Sequence, residues 1–405
     1  MGIARTARPG RAPGIGPLPC MRPDRSTNSM SISISSRFDS GAIEVVPSTA
    51  PDDVALAIRA DSNALFRQWF HFRLQGGAGR PLRLRFTNAG ACTYAEGWNG
   101  YRVVASYDRR QWFRIDTRFD GSEMVATHTP RHDSVWYAYF EPYSSERHLD
   151  LVGRIDGCAR ARVSRLGASV EGRDIDLVTV GEAGAGRLPV WVIARQHPGE
   201  TMAEWFVEGL LDRLVDAADP VARSLLARAV VHVGPNMNPD GSALGNLRTN
   251  AAGANLNREW QEPSPERSPE VLCVRAAMRA TGVAAFLDVH GDEGLPYVFV
   301  DGGERLPSYT AAHAAREAKF KAALVAANPD FQTVHGYAAD KDTKVNLSLA
   351  SKHVAHAFGA LSLTLEMPFK DNADLPDVDV GWNGARSRRL GADSLTALWA
   401  TLAAG

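Results

Sequence analysis

His197 and Glu200 stand in Gln196-His197-Pro198-Gly199-Glu200, directly behind the apolar run Leu188-Pro189-Val190-Trp191-Val192-Ile193-Ala194. An imidazole and a carboxylate so spaced can converge on one point. A borderline cation such as Zn²⁺ takes both donor types, and a catalytic zinc site keeps one position open for water. The same residues also suit a plain helix start, with Pro198 in the first turn and Glu200 favoured by the helix dipole. Three further apolar runs end in groups of chemical consequence: Asn236-Met237-Asn238-Pro239-Asp240-Gly241, Asp288-Val289-His290-Gly291-Asp292-Glu293, and Glu366 in Thr364-Leu365-Glu366-Met367. Open α/β sheets bind ligands outside the carboxyl ends of their strands, so four such endings argue for one shared crevice. His197, Glu200 and His290 then make a two-histidine, one-carboxylate set for a single Zn²⁺.

Glu366 has no partner in its own segment, and a carboxylate at the end of a buried strand is costly unless it has work to do. It suits a general base that takes a proton from the attacking water and passes it to the leaving amine. Asp292 and Glu293 compete for that role, although their position reads first as a solvated loop. Asp288, two residues before His290, faces the same side of the strand and is placed to accept the other ring N–H of a ligating imidazole. Between the second and third runs lies a polar stretch from Gly245 to Trp260, rich in Asn and Gly. In it, Arg258 with Asn257 could grip a carboxylate through the guanidinium fork, and Arg248 could stabilise an oxyanion. A surface loop held by Asx turns would have a similar composition.

The elements that must position these groups follow from the patterning. The runs ending at His197, Asn236, His290 and Glu366 alternate with helical periodicity after Glu200, near 269–280, near 309–327 and near 392–403. This alternation predicts an α/β domain with a sheet covered on both faces. A hairpin, Val163–Val170 and Ile175–Val180, precedes it. From Ile43 to about Val152 short alternating segments with frequent turns predict an antiparallel β-sandwich. Its Trp69, Trp98, Trp112 and Trp136 read as core filling before they read as a carbohydrate-binding face. Residues 1–29 are rich in Arg, Pro and Gly and lack the apolar stretch of a secretory signal. They read as a disordered leader, with Met30 a natural alternative start. The expected organisation is therefore 1–29 leader, 30–152 β-sandwich domain and 153–405 catalytic domain.

The chain has 405 residues, 44% apolar and 22% charged, with a formal net charge of -1, which gives no hint of a nucleic-acid partner or a membrane surface. No apolar run approaches the roughly 20 residues of a membrane span. Its four cysteines are scattered without a CxxC spacing, which favours a reducing cytoplasm over a disulfide framework.

Taken together, His197-Pro198-Gly199-Glu200, Asn238-Pro239-Asp240-Gly241, Asn255-Leu256-Asn257-Arg258, Asp288-Val289-His290-Gly291 and Thr364-Leu365-Glu366 resemble, in order, the motifs of the zinc metallocarboxypeptidase family, and of its cytosolic branch in particular. The resemblance spans roughly residues 155 to 370. It implies a mixed-sheet carboxypeptidase domain with helices on both faces, behind a small antiparallel β-sandwich. It also implies one zinc on His197, Glu200 and His290, with Glu366 as base. Asn257 and Arg258 would hold the terminal carboxylate of a peptide or protein tail, and Arg248 would polarise the scissile carbonyl. Two departures stand out. Asp292 replaces a histidine common in the branch, and the substrate-capping tyrosine expected some twenty residues before the base has no evident counterpart. Lys344 falls near that place. Lys344 or Lys352 would suit an acidic C-terminal residue, the preference the branch implies. Two other readings are a zinc-dependent amidase or deacylase of acylated amino acids, and a non-catalytic module in which the sandwich recognises a partner.

Overall fold

A computed structural model describes residues 31–402 except 49, 305 and 339–344, together with Gly2. The leader, Met30 and Lys344 thus lie outside the described residues, Gly2 apart. From Ile32 onward the chain forms one compact unit.

The sheet that carries the site has seven strands in the order 161–168, 174–180, 229–234, 188–194, 285–292, 361–368, 299–301. The strands at 229–234, 188–194, 285–292 and 361–368 run parallel to one another, and those towards the edges are antiparallel. The sheet is therefore mixed. The parallel strands read as unbroken apolar runs because both of their faces are covered. Val190, Val192 and Ala194 face one core with Phe206, Leu210, Phe320 and Leu390, from the helices Met202–Val215, Ala311–Ala327 and Gly384–Leu402. Trp191 and Ile193 face the other, with Val271, Val274 and Met278 of Pro269–Thr281 and Val354 of Ala350–Phe358.

The closing helix begins at Gly384, earlier than its periodicity suggests. Its first turns are rich in arginine and look solvated, yet they lie on Met202–Val215 backbone to backbone. A Cβ at Gly209 would overlap the carbonyl of Arg388, and one at Gly391 that of Phe206. Only glycine permits so close a helix contact.

Ahead of this layer stand two five-stranded sheets. Phe72, Leu74 and Tyr137 of one share a core with Leu56, Leu84, Phe86 and Met124 of the other. One pair departs from the expected antiparallel sandwich: Asp53–Ala57 runs parallel to Leu82–Phe86. Trp69, Trp98 and Trp112 are buried, as core residues should be. Trp136 is half-buried under the Arg73 guanidinium, 5.9 Å from its ring centre.

The helix Ser145–Asp156 docks through a half-buried imidazole: His148 Nδ1 lies 2.6 Å from Glu204 Oε1, and its Nε2 lies 3.0 Å from Asp176 Oδ2. Burial opposes charging this ring, but Glu204 and Asp176 prevail and lift its pKa from 6.5 to about 9. A raised folded-state value means that the imidazolium stabilises fully below pH 6.5, and that this contribution is lost as pH climbs through 9. It amounts to at most about 3 kcal/mol. His148→Gln should flatten the fall in urea-unfolding free energy between pH 6.5 and 9.5; an unchanged slope would contradict the assignment.

Candidate active site

The carboxyl ends of the parallel strands meet at one edge of the sheet, and register fixes who faces whom. Asp288 pairs with Ile193 and Thr364, and His290 sits directly opposite Glu366. After Ala194 the chain turns sharply. Arg195 takes φ +57, and its buried guanidinium donates to Glu204 Oε2 (2.7 Å), to the Tyr143 carbonyl (3.0 Å) and twice to the Pro198 carbonyl (2.7 and 3.2 Å). Glu204 lies in the first turn of the helix that follows, so this ion pair ties the turn to its own helix. Gln196 completes the brace, donating to both oxygens of Asp288 (2.8 Å each) and accepting from Trp260 Nε1 (2.7 Å). Asn238 donates to the Gln196 carbonyl (3.1 Å) and caps the short helix Pro239–Leu244, while Asp240 binds Ser169 and Arg173. The second strand ending thus supports the site from behind.

His197, Glu200 and His290 come together, all buried, with their ligand atoms within 4.8 Å of one another. His197 Nδ1 is 2.7 Å from Glu200 Oε1, His290 Nδ1 is 2.7 Å from Glu200 Oε2, and the two Nδ1 atoms are 3.1 Å apart. On the far side of each ring, His290 Nε2 faces Asp288 Oδ2 at 2.9 Å and His197 Nε2 faces Asn255 Oδ1 at 3.0 Å. Hydrogen on both Nε2 atoms, which those acceptors favour, leaves both Nδ1 atoms to ligate a metal beside Glu200. Without a metal, burial opposes charging His290, yet Asp288 and Glu200 hold its pKa well above its ordinary value. A proton satisfies one such contact, whereas a divalent cation satisfies all three. The donor set thus fits zinc. Burial, then Arg248, pushes the His197 pKa down to about 3, which keeps it in the neutral form a metal needs. Burial also works against ionised Glu200, but the two imidazoles prevail and hold it below the usual range.

Around this set lie the other candidates. Glu366 Oε1 accepts from the Tyr337 hydroxyl (2.8 Å), while Oε2 is buried and has no hydrogen-bond partner among the described residues. Burial pushes this carboxyl well above the ordinary range, with His290 opposing and Glu200 and Asp292 adding. Arg248 Nη1 is 3.5 Å from Glu200 Oε1, and its guanidinium lies over the Tyr94 ring, 5.3 Å from the centre. Arg258 is exposed and donates from Nη1 to the Asn257 carbonyl (2.7 Å). Asn257 accepts from the Ala350 N–H (2.8 Å) and places Nδ2 3.3 Å from His290 Nε2.

Three expectations change. Glu293 is buried rather than solvated, because Gly97 of the sandwich closes over it; burial lifts its pKa to about 8 against Arg248. Asp292 caps its own turn through Gly294 and Leu295 and lies 3.0 Å from the Tyr337 hydroxyl. Lys352 is occupied, its Nζ bonded to Asp301 Oδ2 at 2.9 Å and to the Gly302 carbonyl.

The sequence reading missed Tyr337, which stands twenty-nine residues before Glu366 in a loop without periodicity. Its only signal was being the last tyrosine of the chain. Tyr94 and Arg195 were missed as well.

Comparison with known proteins identifies the family. Residues 34–140 match the cytosolic carboxypeptidase N-terminal domain model, and residues 158–377 match the zinc carboxypeptidase model. A metallo-carboxypeptidase from Burkholderia cenocepacia superposes with a TM-score of 0.91 at 55% identity, covering 92% of this chain and 100% of that one. An uncharacterised protein of Zymomonas mobilis is 46% identical over 369 residues, covering 91% of this chain and 96% of that protein. Cytosolic carboxypeptidase 6 of Mus musculus is 28% identical over 297 residues, 65% of this chain; that match spans 54% of the mouse protein's length, about half. Two matched domains, the shared fold and the strand-end groups make this chain a member of the zinc carboxypeptidase family with the N-terminal domain of the cytosolic carboxypeptidases, a metal-dependent peptide hydrolase.

Proposed function

We propose that the cleft removes C-terminal residues from peptides or protein tails, with one zinc ion per chain held by His197, Glu200 and His290. The observation that carries this reading is the convergence of three ligand atoms, Glu200 Oε and the two histidine Nδ1, beside a carboxyl with one buried oxygen, Glu366 Oε2, that has no partner among the described residues. Zinc, when bound, acidifies water and polarises a carbonyl oxygen. Glu366 takes the proton of the attacking water on Oε2, while Tyr337 steadies Oε1, and later returns it to the leaving amine. Arg248, next to Glu200 and backed by Tyr94, meets the negative charge that develops on the scissile carbonyl oxygen. Arg258, with Asn257 beside it, binds the terminal carboxylate, which makes the enzyme act from the chain end. Tyr337, whose hydroxyl lies within hydrogen-bond distance of both Glu366 and Asp292, covers the bound end in this reading.

In this reading residues 30–152 form the sandwich domain and 153–405 the catalytic domain. Cytoplasmic residence is supported by the free Cys92, Cys158 and Cys273 and by the name of the mouse relative. A preference for acidic C-terminal residues would rest on Lys344, because Asp301 already neutralises Lys352. Zinc-loaded protein incubated with peptides ending in Glu, Lys and Phe, and products read by mass, tests both points. Loss of single C-terminal residues, fastest for Glu, is the expected result. A clear preference for Lys would remove the acidic preference, and internal cuts would remove the carboxypeptidase reading.

A further inference from the structure

Arg248 is held from outside the catalytic sheet. The segment after the strand Asp53–Ala57 runs along the loop that carries this arginine, and Asp61, 6% exposed, spends both carboxylate oxygens on it. Oδ1 accepts the N–H of Leu247 (2.6 Å); Oδ2 accepts the N–H of Arg248 (2.8 Å) and of Thr249 (3.0 Å), and the Thr249 hydroxyl (3.1 Å). Three successive backbone N–H groups on one carboxylate pin three consecutive peptide planes, as an anion does in a backbone nest. The neighbours extend the clamp: Ser62 N donates to Asn246 Oδ1 (3.0 Å), Asn63 Nδ2 donates to the Ala251 carbonyl (2.8 Å), and Arg59 donates to the Leu244 carbonyl. Tyr94, also from the sandwich, lies beneath the Arg248 guanidinium. The clamped loop also reaches the metal turn, since the Leu247 carbonyl accepts the Gly199 N–H (2.9 Å).

We propose that the N-terminal sandwich is a working part of the active site: Asp61 on the backbone and Tyr94 under the guanidinium are positioning residues that aim Arg248 at the scissile carbonyl. This rests on the oxyanion role given to Arg248 above. The physical reason is pre-organisation. An arginine has many rotamers, and a donor already fixed where charge develops needs no reordering in the transition state. A clamp of this kind acts on turnover more than on substrate capture.

A double-mutant cycle on the zinc-loaded full chain tests the inference, using a free-acid peptide and single-residue release. Asp61→Asn keeps the shape but presents an NH₂ to N–H donors. Alone it should lower kcat about 10- to 100-fold with KM within about twofold, and in an Arg248→Ala background it should cost less than about twofold. An equal cost in both backgrounds, or none in either, overturns the inference while leaving the Arg248 role standing. Wild-type turnover by Arg248→Ala overturns the role itself and the inference with it. Where circular dichroism shows Asp61→Asn unfolded, Tyr94→Leu enters the same cycle. Its loss vanishing without Arg248 supports the proposal, and a loss that persists overturns it.

Discussion

Glu366→Gln is expected to lose turnover by about 10³-fold while still binding one zinc per chain. The substitution changes one atom of a buried side chain, so the strand Leu361–Pro368 keeps its packing. Tyr337 can still donate to the remaining oxygen at the Oε1 position. What disappears is the basic oxygen Oε2, which among the described residues has no hydrogen-bond partner of its own. His197, Glu200 and His290 are untouched, so metal content measured by atomic absorption should equal that of the parent. A variant with parental turnover would transfer the base to another group, and Glu293, buried beside Arg248, would be the first to test.

Arg195→Met should be the most damaging change to the scaffold. The side chains of Arg195 and Glu204 are 2% and 0% exposed and meet at 2.7 Å. Removing one member of a buried pair typically costs about 3–5 kcal/mol, and Glu204 would keep only the His148 imidazolium and the Asn236 amide, so the lower end of that range is expected. For a domain with total stability of about 5–15 kcal/mol this is a large share. The left-handed backbone at Arg195 persists in the variant, so the loss reports the ion pair, the bond to the Tyr143 carbonyl and the two bonds to the Pro198 carbonyl. Those bonds fix the turn between His197 and Glu200, so zinc should also be held about 10- to 100-fold more weakly. Urea unfolding and chelator competition measure the two effects separately. An unchanged unfolding midpoint would contradict the role given to the pair.

That His197, Glu200, His290 and Glu366 would meet at one edge of the sheet was legible in the sequence for a physical reason. Parallel strands buried on both faces read as unbroken apolar runs, so the polar residue that ends each run stands out, and strand-end placement tells where it points. Both core faces were also legible from strand and helix alternation. The sequence did not show groups whose importance depends on partners far along the chain. Asp61 and Tyr94 look like ordinary turn residues until Arg248 is placed on them. Arg195 reads as the polar tip of a strand, yet it is buried because Glu204, one helical turn into the next element, takes its charge. Glu293 reads as loop until Gly97 of the sandwich covers it. Tyr337 escaped because a loop has no periodicity with which to fix its reach. The parallel pair inside the sandwich escaped because alternation reports which face is buried and says nothing about strand direction.

The measurement that bears most directly on the central claim compares one peptide as its free C-terminal acid and as its C-terminal amide, each incubated with the zinc-loaded protein and followed by mass. Binding of the terminal carboxylate by Arg258 predicts stepwise loss of single residues from the acid and a rate at least about 10²-fold lower on the amide. Equal rates on the two forms, or cleavage within the chain, would contradict it.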